Sequence, residues 1–163
     1  MTVDYQRKGA MWVFNRIQCF TTFPNLEDTE TVNKAILICA KGDGVLAPAE
    51  RDWQIGFMSA LGAPESLLQK LDTYEANDDL ADLLANASDR IKNLVQNDIV
   101  YQAIKASAAD GDYSPQEHEK ICQMAKLLGV TSEVVAQLVE LHKEEELLRE
   151  KRIKLIFANG SPY

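Results

Sequence analysis

The sequence predicts an all-α protein, a compact helical bundle of about seven to eight helices built from two related helical repeats. Apolar residues recur at the three-to-four-residue spacing of an amphipathic helix along most of the chain, and no stretch alternates with the period of a half-buried strand. Proline and glycine separate these apolar stretches at positions typical of helix ends. One motif then occurs twice at a fixed offset, which indicates two related units that share one core.

The repeat is defined by two loops that contain the same spaced motif. Residues 41–52 and 108–119 both read Asp-Gly-x-x-x-Pro-x-Glu, at an offset of 67 residues. The same offset persists downstream, where Leu61-Gly62 falls on Leu128-Gly129. A chance match would not keep its apolar phase over about thirty residues. We therefore interpret the chain as an internal duplication.

The elements follow in order from these signals. An N-terminal amphipathic helix ends before Pro24, since a residue that precedes proline disfavours helical geometry. In repeat one, a helix that starts near Asp28 ends at the glycines of the first loop, and Pro48 opens the next helix. The predicted domain is single, 1–163, with an N-terminal helix at about 4–20, repeat one at about 29–74, repeat two at about 96–141 and a C-terminal helical extension at 142–157.

The region between the repeats is predicted to be helical as well. Three leucines around Leu83 indicate a short helix, and a longer one is expected from about Ser88 to Ala109, with a break near Asn97-Asp98. The last helix is expected to begin near Ser132 and to run to about Ile153.

The charge balance excludes one class of partner. Seventeen basic residues against twenty-five acidic residues give a formal net charge of −8. Binding to a phosphate backbone needs clustered Lys and Arg, so no nucleic-acid partner is expected. Cations, or a basic protein surface, suit this charge better.

Cysteine usage indicates a reducing compartment. Cys19, Cys39 and Cys122 are an odd, widely spaced set without a CxxC pair, and we expect buried thiols rather than disulfides or a zinc site. The apolar run Ala10–Phe14 is too short for a secretory leader, and no run is long enough to span a membrane. The expected location is cytoplasmic.

The duplicated loops carry the candidate functional residues. Each places an aspartate before a glycine turn and a glutamate in the first turn of the following helix, and repeat two adds a further aspartate. If the repeats pack symmetrically, these carboxylates converge and raise each other's pKa unless a cation neutralises them. Oxygen ligands suit Ca²⁺, Mg²⁺ or Mn²⁺. The candidate metal ligands are Asp43, Glu50, Asp110, Asp112 and Glu117.

A purely structural interpretation accounts for part of this pattern. Residues 114–117 form a capping-box sequence, with Ser114 at the N-cap and Glu117 at N3. Repeat one weakens this explanation, because Ala47 has no capping side chain although Glu50 is kept. Capping also leaves the two loop aspartates without a role. Both interpretations therefore stay open at this stage.

Other chemistry finds little support in the sequence. An EF-hand is excluded because Pro115 and Ile121 occupy positions that need glycine and a bidentate glutamate. His118 and His142 lack the spacing of a zinc motif, and Cys122 has no activating base close to it in the sequence. No nucleophile or nucleotide-binding motif occurs, so no enzymatic activity and no organic cofactor are predicted.

The charged segment Lys143–Arg152 predicts a solvated helix face. A rarer arrangement is that this C-terminal helix meets another chain, since Leu147-Leu148, Leu155 and Ile156 supply an apolar edge. Oligomerisation through the C-terminal helix is one expectation that follows.

The doubled motif resembles the tellurite-resistance TerB-like family. The likeness rests on Ala40–Glu50 with Leu61-Gly62 and on Ala109–Glu117 with Leu128-Gly129, and it covers about Thr31–Leu141. The resemblance implies a bacterial, non-enzymatic helical module linked to tellurite and other chemical stress, working with other proteins of a stress-response complex. The leading alternative is a protein-interaction scaffold whose loops are purely structural.

The resemblance also implies which acids bind metal, and these are Asp43 and Glu50 in repeat one and Asp110 and Glu117 in repeat two. Repeat one departs from repeat two at three positions of the motif. It has glycine, valine and alanine where repeat two has Ala109, Asp112 and Ser114. Repeat two is therefore expected to be the better half-site.

Overall fold

A computed structural model describes residues 4–85 and 87–160 of the chain. These residues contain nine α-helices and no strand, so the all-α prediction is confirmed and the predicted count of seven to eight helices is slightly low. In chain order the helices are α1 (Tyr5–Gln18), α2 (Leu26–Ala40), α3 (Pro48–Ala60), α4 (Glu65–Asp72), α5 (Leu80–Ala85), α6 (Asp89–Asn93), α7 (Gln96–Ser107), α8 (Pro115–Leu127) and α9 (Ser132–Ile156).

The additional helix arises where one long helix was expected from Ser88 to Ala109. The chain leaves helical geometry at Leu94 and Val95, whose φ angles are −121° and −124°. The predicted break at residues 97–98 is therefore wrong, since both lie inside α7. No proline or glycine marks the true break, so tertiary packing sets it: α6 buries Ile91 while α7 buries a different face.

Helices of the two repeats begin at equivalent positions. Helices α3 and α8 both have 13 residues, and they begin at Pro48 and Pro115. Helices α4 and α9 begin at Glu65 and Ser132, at the same offset of 67 residues. The proline at N1 fixes each start, because its ring pre-sets a helical φ and it has no N–H to leave unpaired.

The core lies where the first helix of each repeat packs on its counterpart. Helices α2 and α7 make the most extensive contact, α2 also packs on α8, and α7 also packs on α3. Ile36 and Leu37 of α2 and Ile104 of α7 are at most 1% exposed. The first helix of each repeat therefore packs on the second helix of the other repeat. This packing places the N-terminal ends of α3 and α8, and the acidic loops that precede them, at the contact between the repeats.

The N-terminal helix covers a smaller apolar cluster beside this core. Phe14 packs edge-on against Phe20 and parallel to Phe23, with ring centroids 5.1 and 5.9 Å apart. Helix α1 ends at Gln18, and the next residue, Cys19, caps it with a left-handed φ of 56° and is exposed. The expectation of buried cysteines is therefore correct for Cys39, wrong for Cys19, and met only halfway by Cys122.

Helix α9 extends beyond the bundle. Its 25 residues bury only Val135 fully, and it packs on α7 and α8 through its N-terminal part. Lys105 of α7 holds it further along by an ion pair with Glu145, at 2.9 Å. In the part of the chain that the structure describes, no helix has both the length and the apolar character needed to cross a membrane.

Candidate functional site

Each loop aspartate closes the turn that it begins. Oδ1 of Asp43 accepts a hydrogen bond from the backbone N–H of Val45 at 2.9 Å, and Oδ1 of Asp110 accepts one from the N–H of Asp112, also at 2.9 Å. The glycine between them has a positive φ in both loops, 102° and 93°. Aspartate favours such turns because its short side chain reaches a backbone N–H two residues on. The two loops therefore share one local geometry.

The glutamates bind the backbone at the helix starts. Oε2 of Glu50 accepts from the N–H of Ala47 at 2.6 Å, and Oε2 of Glu117 accepts from the N–H of Ser114 at 2.6 Å. Oγ of Ser114 in turn accepts from the N–H of Glu117 at 3.1 Å, which confirms the predicted capping box in repeat two. Repeat one has only the glutamate half of this capping box, since the methyl group of Ala47 cannot accept a hydrogen bond.

The structure brings these two glutamates together. Glu50 is 1% exposed and Glu117 is 5% exposed, and their side chains lie in hydrogen-bonding contact across the boundary between the repeats. Oε1 of Glu50 has no hydrogen-bond partner in residues 4–85 and 87–160. A proton or another cation between the two carboxyl groups would satisfy this buried acceptor.

The environment of Glu50 favours its neutral form. Burial is the main cause, the contact with Glu117 adds to it, and the carboxylate of Asp110 adds a smaller repulsion. The hydrogen bond from the N–H of Ala47 acts in the opposite direction. Together they raise the pKa of Glu50 from 4.5 to about 8, which favours its protonated form at neutral pH.

A close backbone approach explains one departure between the repeats. A Cβ atom on Gly42 would lie 2.6 Å from Cα of Glu117 and 2.9 Å from the carbonyl oxygen of Gln116. These atoms belong to backbone that cannot move aside cheaply, so only glycine fits. The equivalent Ala109 shows that repeat two does not need this contact, and the two halves are therefore not perfect copies.

The remaining predicted ligands lie nearer to solvent. Asp43, Asp110 and Asp112 are exposed in the structure, with Asp110 close enough to Glu50 to affect its pKa. Among the described residues, no three His, Cys, Asp or Glu side chains stand together in a group that could hold a metal ion. The five predicted residues therefore form a buried pair with exposed carboxylates on the loops around it.

A second cluster corrects the prediction that Cys122 has no base close to it in the sequence, since His118 lies four residues before it on the same helix. His118 contacts Tyr113 through Nδ1 at 3.0 Å and Sγ of Cys122 through Nε2 at 3.5 Å. The four-residue spacing of His118 and Cys122 on one helix is the signal that finds it. Burial, with a smaller effect from Glu119, raises the pKa of the Cys122 thiol, so the thiol stays protonated. This environment does not favour a reactive nucleophile.

Comparison with known proteins gives one informative relative. No family model matches the chain, and no curated protein matches its sequence. The crystal structure of a tellurite resistance protein from Nostoc punctiforme is 38% identical to this chain. The similarity covers 99% of this chain and 100% of that one, with a TM-score of 0.87. This confirms the family resemblance inferred from the doubled Asp-Gly motif, and the chain belongs to the TerB-like family of tellurite resistance proteins.

Proposed function

We propose that this chain is a non-enzymatic, cation-binding module of the bacterial response to tellurite and other chemical stress. The observation that carries the proposal is the buried pair of Glu50 and Glu117, to which each repeat contributes one member. The family of the relative from Nostoc punctiforme supports the link to tellurite resistance.

The pair itself favours cation binding over a purely structural role. Capping of α3 and α8 uses only Oε2 of each glutamate, and it would work equally well if the two side chains were far apart. Placing them in contact is unfavourable while both are ionised, because like charges in a buried site repel strongly. A bound divalent ion would remove that repulsion, and oxygen ligands suit Ca²⁺, Mg²⁺ or Mn²⁺.

The exposed loop carboxylates supply further ligands in this proposal. Asp110 lies close to Glu50, and Asp43 occupies the equivalent turn in repeat one. Asp112 adds a carboxylate that repeat one lacks. A bound ion would draw these exposed side chains inward, and the two buried glutamates would remain its fixed anchors.

The other polar chemistry of the chain agrees with a binding role. The raised pKa of the Cys122 thiol leaves no activated nucleophile at the His118 cluster. The three cysteines are all free, which fits the reducing cytoplasm that we propose as the location of this protein. The net charge of −8 supports cations and basic protein surfaces as partners, not nucleic acid.

Helix α9 favours a second role, in protein interaction. Leu147, Leu148, Leu155 and Ile156 are each more than 60% exposed along this helix. Exposed leucines and isoleucines at such spacing form an apolar edge that a helix of another protein, or of a second copy, would cover. In this alternative the chain is a scaffold of a stress-response complex, and its acidic loops only cap helices.

Thermal unfolding with added cations separates the two roles. Chelator-treated protein is titrated with Ca²⁺, Mg²⁺, Mn²⁺ and Zn²⁺, and the cation-binding role predicts a saturable rise in the unfolding midpoint. A hundredfold excess over Kd corresponds to roughly 2.7 kcal/mol of added stability. The Asp110→Asn variant should lose most of this rise. A midpoint that no ion changes up to millimolar concentration would instead favour the scaffold.

A further inference from the structure

We propose that the C-terminal part of α9 pairs with the same segment of a second copy of the chain, antiparallel and across a twofold axis at Leu148. This inference rests on the protein-interaction role proposed above and names its partner, and it does not depend on the cation site. The paired face consists of Leu141, Leu148 and Leu155, which are 42%, 66% and 72% exposed.

The three leucines form a continuous stripe along α9. They are spaced seven residues apart, which is close to two helical turns, so they lie on one side of the helix. Val135, which α9 buries against the bundle, lies roughly 140° away from Leu148 around the helix axis. The side of α9 that packs on the bundle therefore differs from the side that carries the stripe, and a second helix has room to lie along the leucines.

Most charged side chains of this part of α9 already have partners within the chain. The ion pairs are Glu140–Lys143, Glu145–Lys105, Glu146–Arg149 and Glu150–Lys154. In the described part of the chain, Glu144, Lys151 and Arg152 form no ion pair. All three flank the leucine stripe, since each lies three or four residues from Leu148. The charges without a partner and the exposed leucines therefore share one face.

The charges of this segment are divided along the helix. Residues 140–146 contain four glutamates and one lysine, whereas residues 149–154 contain four basic residues and one glutamate. In an antiparallel pair of identical segments, the acidic half of each copy lies beside the basic half of the other. A parallel pair in register would instead set like charges against each other. A second copy carries the complementary pattern by necessity, so the charges favour antiparallel self-pairing.

A twofold axis at Leu148 fixes the contacts of this pair. Leu148 meets Leu148 of the second copy, and Leu141 meets Leu155 of the second copy at both ends, because these positions are symmetric about residue 148. Glu144 comes beside Lys151 of the second copy on one flank of the stripe. The symmetry forms each of these unlike contacts twice.

The opposite flank of the stripe has the same complementarity. There Arg152 comes beside Glu145 of the second copy, and Glu145 is already oriented by its ion pair with Lys105 at 2.9 Å. Three leucine positions on one face cover less surface than a standard protein interface does. The dimer should therefore be weak and reversible.

Sedimentation equilibrium of the full chain with a chelator present, from about 10 μM to about 1 mM, measures this association. The first variant is Leu148→Glu, which places two glutamates opposite each other at the axis. Leu147→Glu is its matched control, because Leu147 is equally exposed at 67% but lies roughly 100° around the helix from Leu148. Glutamate and leucine are similarly good helix formers, so α9 should stay helical in both variants.

Charge reversal tests the orientation of the pair. Glu144→Lys should weaken the dimer at least about threefold, since the new lysine faces Lys151 of the second copy. Adding Lys151→Glu exchanges the two charges and should restore the wild-type affinity. In a parallel pair each position faces itself, so the exchange would produce neither the loss nor the recovery.

We expect a monomer–dimer equilibrium whose dissociation constant rises at least about tenfold in Leu148→Glu and stays unchanged in Leu147→Glu. A monomer up to about 1 mM, or a dimer that Leu148→Glu leaves intact, would overturn the proposal. A dimer that Leu147→Glu weakens equally would contradict the leucine face, and a dimer that the charge exchange does not restore would contradict the antiparallel arrangement.

This test is separate from the tests of the proposed function. No metal is present, so a monomeric chain would leave the cation site as it stands. It would also leave the interaction role, which would then need a different protein as the partner of α9.

Discussion

The carboxyl group of Glu50 lies in hydrogen-bonding contact with that of Glu117, although each also caps the helix on which it stands. The two residues occupy equivalent positions of the two repeats, 67 residues apart. They meet because α2 of repeat one packs on α8 of repeat two, while α7 of repeat two packs on α3 of repeat one. The duplication thus places one acid of each repeat in a single buried pair, and the properties of that pair give the first prediction.

Replacing Glu50 with glutamine should change how stability depends on pH. The folded-state pKa of Glu50 is raised to about 8 from 4.5, so its contribution is fully present below the ordinary value and is lost as pH rises through the folded value. Between these values the wild-type protein should lose up to about 1.4 kcal/mol of its free energy of unfolding per pH unit relative to the variant. Glutamine keeps a donor for Glu117 without ionising.

The measurement is urea unfolding of both proteins at several pH values in the presence of a chelator. Subtracting the free energy of unfolding of the variant from that of the wild-type protein at each pH cancels the contributions of the other titrating groups. Equal pH profiles for wild-type protein and Glu50→Gln would show that Glu50 titrates as an ordinary carboxyl group.

The helix caps predict a reciprocal pair of substitutions. Ser114→Ala removes the hydrogen bond to the N–H of Glu117 and should cost about 1 kcal/mol, whether or not metal is present. Ala47 has nearly the same backbone angles as Ser114, with φ and ψ of −64° and 147° against −70° and 153°. Ala47→Ser should therefore stabilise by about 0.5–1 kcal/mol. Denaturant unfolding measures the free energy of unfolding of both variants. A change of the same sign in the two variants would contradict this capping geometry.

The contact between the loop of repeat one and α8 predicts a penalty for Gly42→Ala. The added Cβ would meet backbone atoms of Gln116 and Glu117 at 2.9 and 2.6 Å, so α8 must shift. We expect a loss of about 1–3 kcal/mol in the free energy of unfolding.

Gly56→Ala is the matched control for this substitution. Gly56 lies inside α3, and apart from its chain neighbours and the adjacent backbone of that helix, no described atom lies within 4 Å of a Cβ built there. Alanine should stabilise this helix by about 1 kcal/mol. A similar loss of stability in Gly42→Ala and Gly56→Ala would contradict the close approach of Gly42 to α8.

Asp110→Asn should lower the pKa of Glu50, because the carboxylate of Asp110 is one of the charges that raise it. Asparagine keeps an oxygen to accept the N–H of Asp112, so the turn should persist. Without metal this variant should be slightly more stable than the wild-type protein above neutral pH. Carbon-detected NMR of the glutamate carboxyls reads the pKa directly. Asp112→Asn, on the same loop, is the control and should leave the pKa of Glu50 unchanged.

The fold was largely predictable because local signals agree with the packing. Pro48 and Pro115 fix helix starts, and the repeated Asp-Gly turns fix helix ends, independently of the rest of the chain. The division between α6 and α7 was not predictable at the right residue. It occurs at Leu94-Val95, where no turn residue stands, and it depends on which faces the two helices bury.

The candidate site was predictable in its residue types but not in its grouping. The repeat indicated that acids of both copies converge, and Glu50 and Glu117 do so. Burial divides the set, since these glutamates lie inside and Asp43 stays exposed. The burial of Gln54 and Gln102 carries no signal in the sequence, because a glutamine within an amphipathic helix is expected on the solvated face. Only a comparison of Gln54 with Ile121 marks it as unusual.

We propose that the Glu50–Glu117 pair exchanges its proton for a divalent cation. The most direct measurement is calorimetric titration of Mn²⁺ or Ca²⁺ into chelator-treated protein at pH 7, in two buffers with different ionisation enthalpies. Binding should release about one proton, because Glu50 must ionise to ligate the metal. Glu50→Gln should abolish both binding and release. Cation binding without proton release, or binding unchanged in Glu50→Gln, would contradict it.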